Sequence, residues 1–273
     1  MTGHATPDPA HGGSVVFDRA AGYYDQSRGL PPGVDELVAD RIEAVLPRPD
    51  ARLLELGVGT GRIALPLHRR GRRILGVDLS PPMLDRYRAK AAALGLPPPA
   101  LLRADTTRLP LRDGCVDAVL EVHVLHLVPA WRAALAEARR VLAPGGLVLI
   151  GQGGGGHGDG PRERTRRRLE ELAAAAGGGP RRVGATDAQK VAALVDLGGV
   201  AEELEPVAWE AQETYGQALR DVEGRVFSYC WRLPDEVWRA AVSGLRAELE
   251  ASVPDLEAPH TARHAFTLTA VRF

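Results

Sequence analysis

The feature that most constrains this sequence is a change of period that repeats between residues 52 and 150. Five short runs dominated by Leu, Val, Ile and Ala, at 52–56, 73–78, 100–105, 117–123 and 147–150, alternate with longer segments of helical spacing. Runs of that length and character read as strands buried on both faces. The intervening segments read as helices at 61–70, 81–94 and 131–142, the last with Trp131, Ala134, Leu135, Ala138 and Leu142 on one face. Pro66 removes one backbone bond and is expected to bend the first of them. Pro81 and Pro82 suit the opening turn of the second, after Ser80. Pro144-Gly145-Gly146 should stop the third. Strand and helix in regular alternation predict an α/β fold, a doubly wound, mostly parallel sheet with helices on both faces.

Outside this region the pattern changes. Residues 32–46 place Val34, Leu37, Val38, Ile42 and Val45 at helical spacing. After Ile150, residues 151–156 read as a glycine loop and 162–176 as a basic helix. Thr186 and Gln189 form a capping box for a helix ending at Gly198-Gly199. Residues 207–214 suit a strand. Residues 234–252 suit an amphipathic helix with Trp238, Ala241, Val242, Leu245 and Leu249 on one face. Alternation over 265–273 suits a final antiparallel strand. The 273 residues are expected to form one compact domain. Residues 1–50 supply a tail and covering helices, 51–151 the core, and 152–273 the rest of the sheet with a helical insertion at about 215–258.

Composition removes several function classes. A formal net charge of −1 is too balanced for a protein whose main partner is nucleic acid or an anionic membrane. No apolar run approaches the ~18 residues that a membrane helix needs. Residues 1–14 lack an apolar core and read as a frayed tail, not a signal peptide. Cys115 and Cys230 are the only cysteines, which argues for a reduced, cytoplasmic protein. No metal-ligand set is expected. The arginines at 162–168, 181 and 182 read as a solvated face, because no aromatic side chains interleave them.

The chemistry begins at Gly57-Val58-Gly59-Thr60-Gly61, where the first strand runs into a helix. Glycines there let backbone N–H groups approach a phosphate, a dinucleotide or an adenosine-containing cofactor. A Walker loop needs Gly-Lys-Ser/Thr at its end, and a dinucleotide fingerprint needs a sixth-position glycine. Arg62 meets neither requirement. Glu55, two residues before Gly57, would repel a pyrophosphate but suits an ammonium group. Asp78 ends the second strand, where an acid can accept ribose hydroxyls. Asp105 ends the third.

The segments "LLELGVGTGR", "VDLSPPML", "ADTTRLPLRDGCVDAVLEVHVLHLV" and "EARRVLAPGG" resemble, in order and spacing, the motifs of class I S-adenosylmethionine-dependent methyltransferases. "FDRAAGYYDQSR" is similar to the N-terminal segment of many small-molecule members. The resemblance covers residues 17–150. It implies a Rossmann-like seven-stranded sheet with an antiparallel last strand and a helical lid. S-adenosyl-L-methionine would be the cofactor and S-adenosyl-L-homocysteine its product. Gly57, Val58, Gly59 and Gly61 would wrap the methionine part, with Glu55 nearby. Asp78 would meet the ribose, Leu79 and Met83 the adenine, and Asp105, flanked by Ala104 and Thr106, the adenine amino group. Tyr24 and Arg28 would close over the cofactor, and Glu121, Val122 and His123 would lie under the sulfonium.

Methyl transfer would then be in-line attack by a small-molecule acceptor, with a general base needed only for a nucleophile that must lose a proton. His123 and His126 are the candidates, each with an alternative role in packing or capping. His260 and His264 read as exposed loop residues before the last strand. The Asn/Asp-Pro-Pro-aromatic signature of amino-directed methylases is replaced by Glu121-Val122-His123-Val124, and Cys115 is misplaced for a cytosine C5 nucleophile. Two other readings stay open: a nicotinamide-dependent oxidoreductase, and a non-catalytic S-adenosylmethionine-binding regulator.

Overall fold

The structure, a computed structural model, describes residues 13–153, 160–178 and 183–273. These fall into two compact units. The larger holds 13–152, Val183–Val207 and Phe266–Phe273. The smaller holds Gly153, 160–178 and Ala208–Ala265.

In the larger unit β1 (Arg52–Leu56), β2 (Arg73–Asp78), β3 (Ala100–Arg103), β4 (Val116–Val122) and β5 (Leu142–Gly153) follow the expected rhythm. β6 (Val200–Glu203) and β8 (His260–Arg272) complete a path of order β3-β2-β1-β4-β5-β8-β6. The β1–β2, β1–β4, β2–β3 and β4–β5 pairs are parallel, and β6–β8 is antiparallel. The sheet has eight strands where seven were expected, because β7 (Val207–Glu213) pairs with β8 off this path. β6 escaped the sequence reading because its four residues are all exposed, Val200 at 73%, so no burial pattern marks them.

β4 is buried along its whole length, as a central strand must be. Helices of this unit follow the strands or precede them: α1 (Tyr24–Arg28), α2 (Val34–Glu43), α3 (Ala64–Arg69), α4 (Pro81–Ala93), α5 (Trp131–Val141) and α7 (Asp187–Asp196) are α-helical, and Asp18–Ala20 and Leu125–Leu127 are 3-10 turns. Ser80 caps α4 by accepting from Met83 N at 3.3 Å. Thr186 and Gln189 form both halves of the capping box that opens α7. Pro66 falls in the first turn of α3, where its missing N–H has no intrahelical partner to lose, so no bend is needed. Pro144-Gly145-Gly146 does not separate helix from strand. β5 already begins at Leu142, paired with Val116, and its register shifts before Leu147.

In the smaller unit α6 (Pro161–Ala175), α8 (Tyr215–Glu223) and α10 (Asp235–Ser252) pack together, with α9 (Ser228–Trp231) between the last two in sequence. The buried face of α10 is Val237, Ala241, Val242, Leu245 and Leu249, so Val237 takes the place expected of Trp238. Two arginines of α6 are held in close ion pairs. Arg166 pairs with Glu163 and Glu170, and Arg168 makes a bidentate pair with Glu248 at 2.6 and 2.7 Å. Of the residues 151–156 expected as a loop, the first three continue β5; the rest, with Arg181 and Arg182, lie outside the described residues.

The start of β4 is fastened to β1 by Asp117. Its carboxylate accepts from Arg52 N (2.7 Å), Arg52 Nε and Nη2 (both 3.0 Å) and Arg48 Nη2 (2.9 Å). The Arg52 hydrogen bond outweighs burial and holds this carboxyl well below the usual range. Its stabilisation is therefore present above the ordinary value of 3.8 and is lost as pH falls towards the folded value. Asp117→Asn should cost about 1–3 kcal/mol at pH 7 in urea unfolding, with the difference shrinking below about pH 4. Equal stability of the two chains at pH 7 would contradict this role.

Candidate active site

The strand order reverses between β1 and β4: β2 and β3 lie to one side, β5 to the other. In open α/β sheets ligands bind in the crevice at the carboxyl ends of the strands at such a switch point. A pocket lies there, within the larger unit. Its lining includes Gly57 and Gly59 after β1, Asp78, Leu79 and Met83 after β2, Ala104 and Thr106 after β3, and His123 after β4. Tyr24 and residues 14–17 come from the N-terminal segment.

The glycine turn is built by close packing as much as by ligand access. Gly57 has φ +62°, and a Cβ there would lie 2.5 Å from Val124 Cγ2. Gly61 has φ +76°, and its Cβ would lie 2.5 Å from the Tyr87 ring of α4. Both positions need a residue without a side chain on conformational and steric grounds. Asp78 fixes the turn from β2: Oδ2 accepts from Gly59 N at 2.8 Å and Oδ1 from Ser80 N at 2.9 Å. Burial raises its carboxyl, against the hydrogen bonds from Ser80 and Gly59.

Glu55 lies on β1, 3% exposed, and is not among the pocket-lining residues. Burial pushes its carboxyl up to about 8, although Arg62 pulls the other way. Its Oε2 is buried without a hydrogen-bond partner. His123 follows β4 with φ +57°, an uncommon conformation for a residue with a side chain that costs about 1 kcal/mol or more. Its ring makes an edge contact with His126, centroids 6.3 Å apart.

Several expected residues have other placements. Arg28, Val58, Gly61, Asp105, Glu121 and His126 are not among the lining residues. Asp105 Oδ1 accepts from Thr107 N and Oγ1, both at 2.8 Å, closing a local turn. Glu121 is fully buried. Its Oε1 accepts from Val124 N and Leu125 N, and its Oε2 pairs with Lys190 at 2.6 Å. His260 and His264 lie inside β8, not before it. His264 is buried in the smaller unit, 3.2 Å from Glu213 and stacked on Trp209, which corrects its reading as an exposed loop residue.

Contacts that the sequence did not announce hold the N-terminal segment. Asp25 Oδ1 accepts from Thr60 Oγ1 at 2.6 Å, and Asp25 Oδ2 pairs with Lys90 at 3.0 Å. Arg62 donates to the Arg28 carbonyl at 3.0 Å, and Val15 N to the Leu127 carbonyl at 3.2 Å. One compositional signal was available. Among 34 Lys and Arg residues only Lys90 and Lys190 are lysine, and each pairs with an acid beside the pocket elements.

Residues 54–150 match the family model described as "Methyltransferase domain". The chain is 40% identical over 139 residues to a demethylmenaquinone methyltransferase of Thermus thermophilus, covering 50% of this chain and 63% of that one. It is 35% identical over 135 residues to a malonyl-[acyl-carrier protein] O-methyltransferase of Serratia marcescens, covering 50% of each. The chain thus spans about half to three-fifths of the length of these curated relatives. The crystal structure of the YcgJ protein of Bacillus subtilis shares the fold at 15% identity and TM-score 0.57, over 86% of this chain and 97% of that one. The match over residues 54–150 and these relatives support a class I S-adenosylmethionine-dependent methyltransferase family, and the solved structure shares the fold.

The unpartnered Glu55 gives a prediction with a definite sign. Because its folded value is raised, its contribution to stability is full below about 4.5 and is lost as pH rises through about 8. Glu55→Gln should therefore raise the ligand-free melting temperature at pH 8, with the gain vanishing near pH 4.5. Thermal melts of both chains across that range check it. A variant less stable than the parent at pH 8 would show that the carboxyl is satisfied in the fold.

Proposed function

We propose that the chain is an S-adenosylmethionine-dependent methyltransferase acting on a small-molecule acceptor. The observation that carries this reading is Asp78, whose carboxylate sits at the switch-point pocket between the glycine turn and the apolar side chains of Leu79 and Met83.

The pocket fits the cofactor's chemistry. Asp78 spends one hydrogen bond per oxygen on backbone amides, and an ionised carboxylate offers about four acceptor sites. It retains capacity for a vicinal diol. Leu79, Met83, Ala104, Leu127 and Val128 offer an apolar surface for a purine. The buried Glu55 Oε2 beneath the turn, without a partner in the fold, is an acceptor that would suit an ammonium group. S-adenosylmethionine, when bound, supplies a methyl group already activated on a sulfonium. The protein's own contribution is then placement: well-oriented reactants gain effective molarities on the order of 10⁵ M or more.

Tyr24 and residues 14–17 cover the pocket and exclude water, held by the Asp25–Thr60 and Val15–Leu127 hydrogen bonds. His123, at the pocket surface in its left-handed conformation, is the group placed to accept a proton from a hydroxyl or protonated amine; His126 contacts its ring. The two curated relatives carry different acceptors in their names, a demethylmenaquinone and a malonyl-[acyl-carrier protein], so kinship leaves the acceptor open. A cytoplasmic location is supported by two cysteines that are both free. No described helix is long and apolar enough to cross a membrane.

Calorimetry with S-adenosylhomocysteine and with NAD tests the cofactor, and mass spectrometry of a panel of hydroxylated and amino metabolites incubated with S-adenosylmethionine tests transfer. Binding of the first ligand only, with one acceptor gaining a methyl group, is expected. NAD binding would overturn the reading, and cofactor binding with no transfer to any acceptor would favour a regulator. Asp78→Ala should weaken S-adenosylhomocysteine binding about a hundredfold, since the hydroxyls would lose a charged acceptor. Unchanged affinity would remove Asp78 from the site.

A further inference from the structure

The wall of this pocket formed by Val122, His123, Val124, Leu127 and Val128 is held from behind by a segment from far along the chain. Gly184 N donates to the His126 carbonyl at 3.0 Å, and Ala185 N to the Leu125 carbonyl at 3.2 Å. The approach is so close that a Cβ on Gly184 would overlap the Leu125 carbonyl oxygen. One turn into α7, Lys190 reaches back to Glu121.

The Glu121 carboxylate divides its two oxygens between two tasks. Oε1 gathers the amides of Val124 (3.1 Å) and Leu125 (2.8 Å), which turns the chain directly after the left-handed His123. Oε2 receives Lys190 Nζ at 2.6 Å. Both side chains are closed to solvent, at 0% and 2% exposure. A buried carboxylate without a counter-charge is costly, and removing one partner of such a pair is strongly destabilising. Lysine, one of only two in the chain, brings a compact ammonium to this buried position.

We propose that Lys190 is a positioning residue: by pairing with Glu121 it fixes the Val122–Val128 wall, and with it the His123 side chain, in the form that receives the methyl donor. This rests on reading the pocket as the S-adenosylmethionine site. Glu121 then acts on the wall, not on the ligand.

The charged group recorded with the pair is Asp187, which also contacts Lys190 from within α7. The flanking strands present Leu56 and Ile150 opposite Glu121. His123 and His126 lie on the turn itself. Burial alone would lower the Lys190 ammonium, and the Glu121 and Asp187 carboxylates reverse that and raise it. Without the ammonium, the buried Glu121 carboxylate is left without its counter-charge.

The test is S-adenosylhomocysteine affinity of the full chain by calorimetry, from about pH 6 to about pH 9, with circular dichroism as a check on folding. Lys190→Met should bind at least about tenfold more weakly. The double variant Glu121→Gln with Lys190→Met keeps an acceptor for both amides and no buried charge. It should recover to within about threefold of the parent. Glu121→Leu with Lys190→Met removes the charge and the acceptor, and should stay at least about tenfold weaker; this comparison decides the matter if Lys190→Met does not fold. Parent-like affinity in Lys190→Met at all pH values, or equal affinity of the two double variants, would overturn the proposal. Failure of the parent chain to bind S-adenosylhomocysteine would instead overturn the reading of the pocket.

Discussion

The site depends first on the hydrogen bond from Gly59 to the Asp78 carboxylate. It joins the ends of two neighbouring parallel strands at the position where the sheet reverses its order. The same carboxylate accepts from Ser80, whose hydroxyl caps α4. One acid therefore sets the glycine turn, the course of the chain after β2 and the start of a helix. α4 in turn supplies Met83 to the pocket and Tyr87 to the space left open by Gly61. A pocket made this way is rigid before any ligand arrives, which is what lets binding energy go into placement.

The opposite wall uses a different device. Where Asp78 works at the pocket surface, Glu121 works from full burial and is paired with a cation. The two walls share a principle: a carboxylate organises backbone amides at the carboxyl end of a strand. They differ in cost. Among the described residues Asp78 has no ion pair, whereas Glu121 is tied to Lys190, so the second wall depends on a residue sixty-nine positions away. The buried Glu55, held protonated to about pH 8, is the third acid of this edge and the one with an oxygen, Oε2, left without a hydrogen-bond partner.

The central strands were legible because burial on both faces forces a continuous apolar run, and β1 and β2 match their expected limits. The capping box at Thr186 was legible because both partners lie within one turn. β6 was not, because an exposed four-residue strand carries no pattern. The path of β5 through Pro144 was missed because proline and glycine were read as a stop, while the strand edge accommodates them with a shift of register. At the site, Gly57, Gly59 and Asp78 announced themselves by type and spacing. The Asp25–Thr60 and Glu121–Lys190 contacts did not, since their partners are 35 and 69 residues apart and only folding brings them together. The scarcity of lysine was the one trace they left.

The most direct test of the central claim is a crystal structure of the chain grown with S-adenosylhomocysteine. The account predicts density in the switch-point pocket, with both ribose hydroxyls on Asp78 and the purine against Leu79 and Met83. Density elsewhere on the molecule, or a ribose turned away from Asp78, would contradict it.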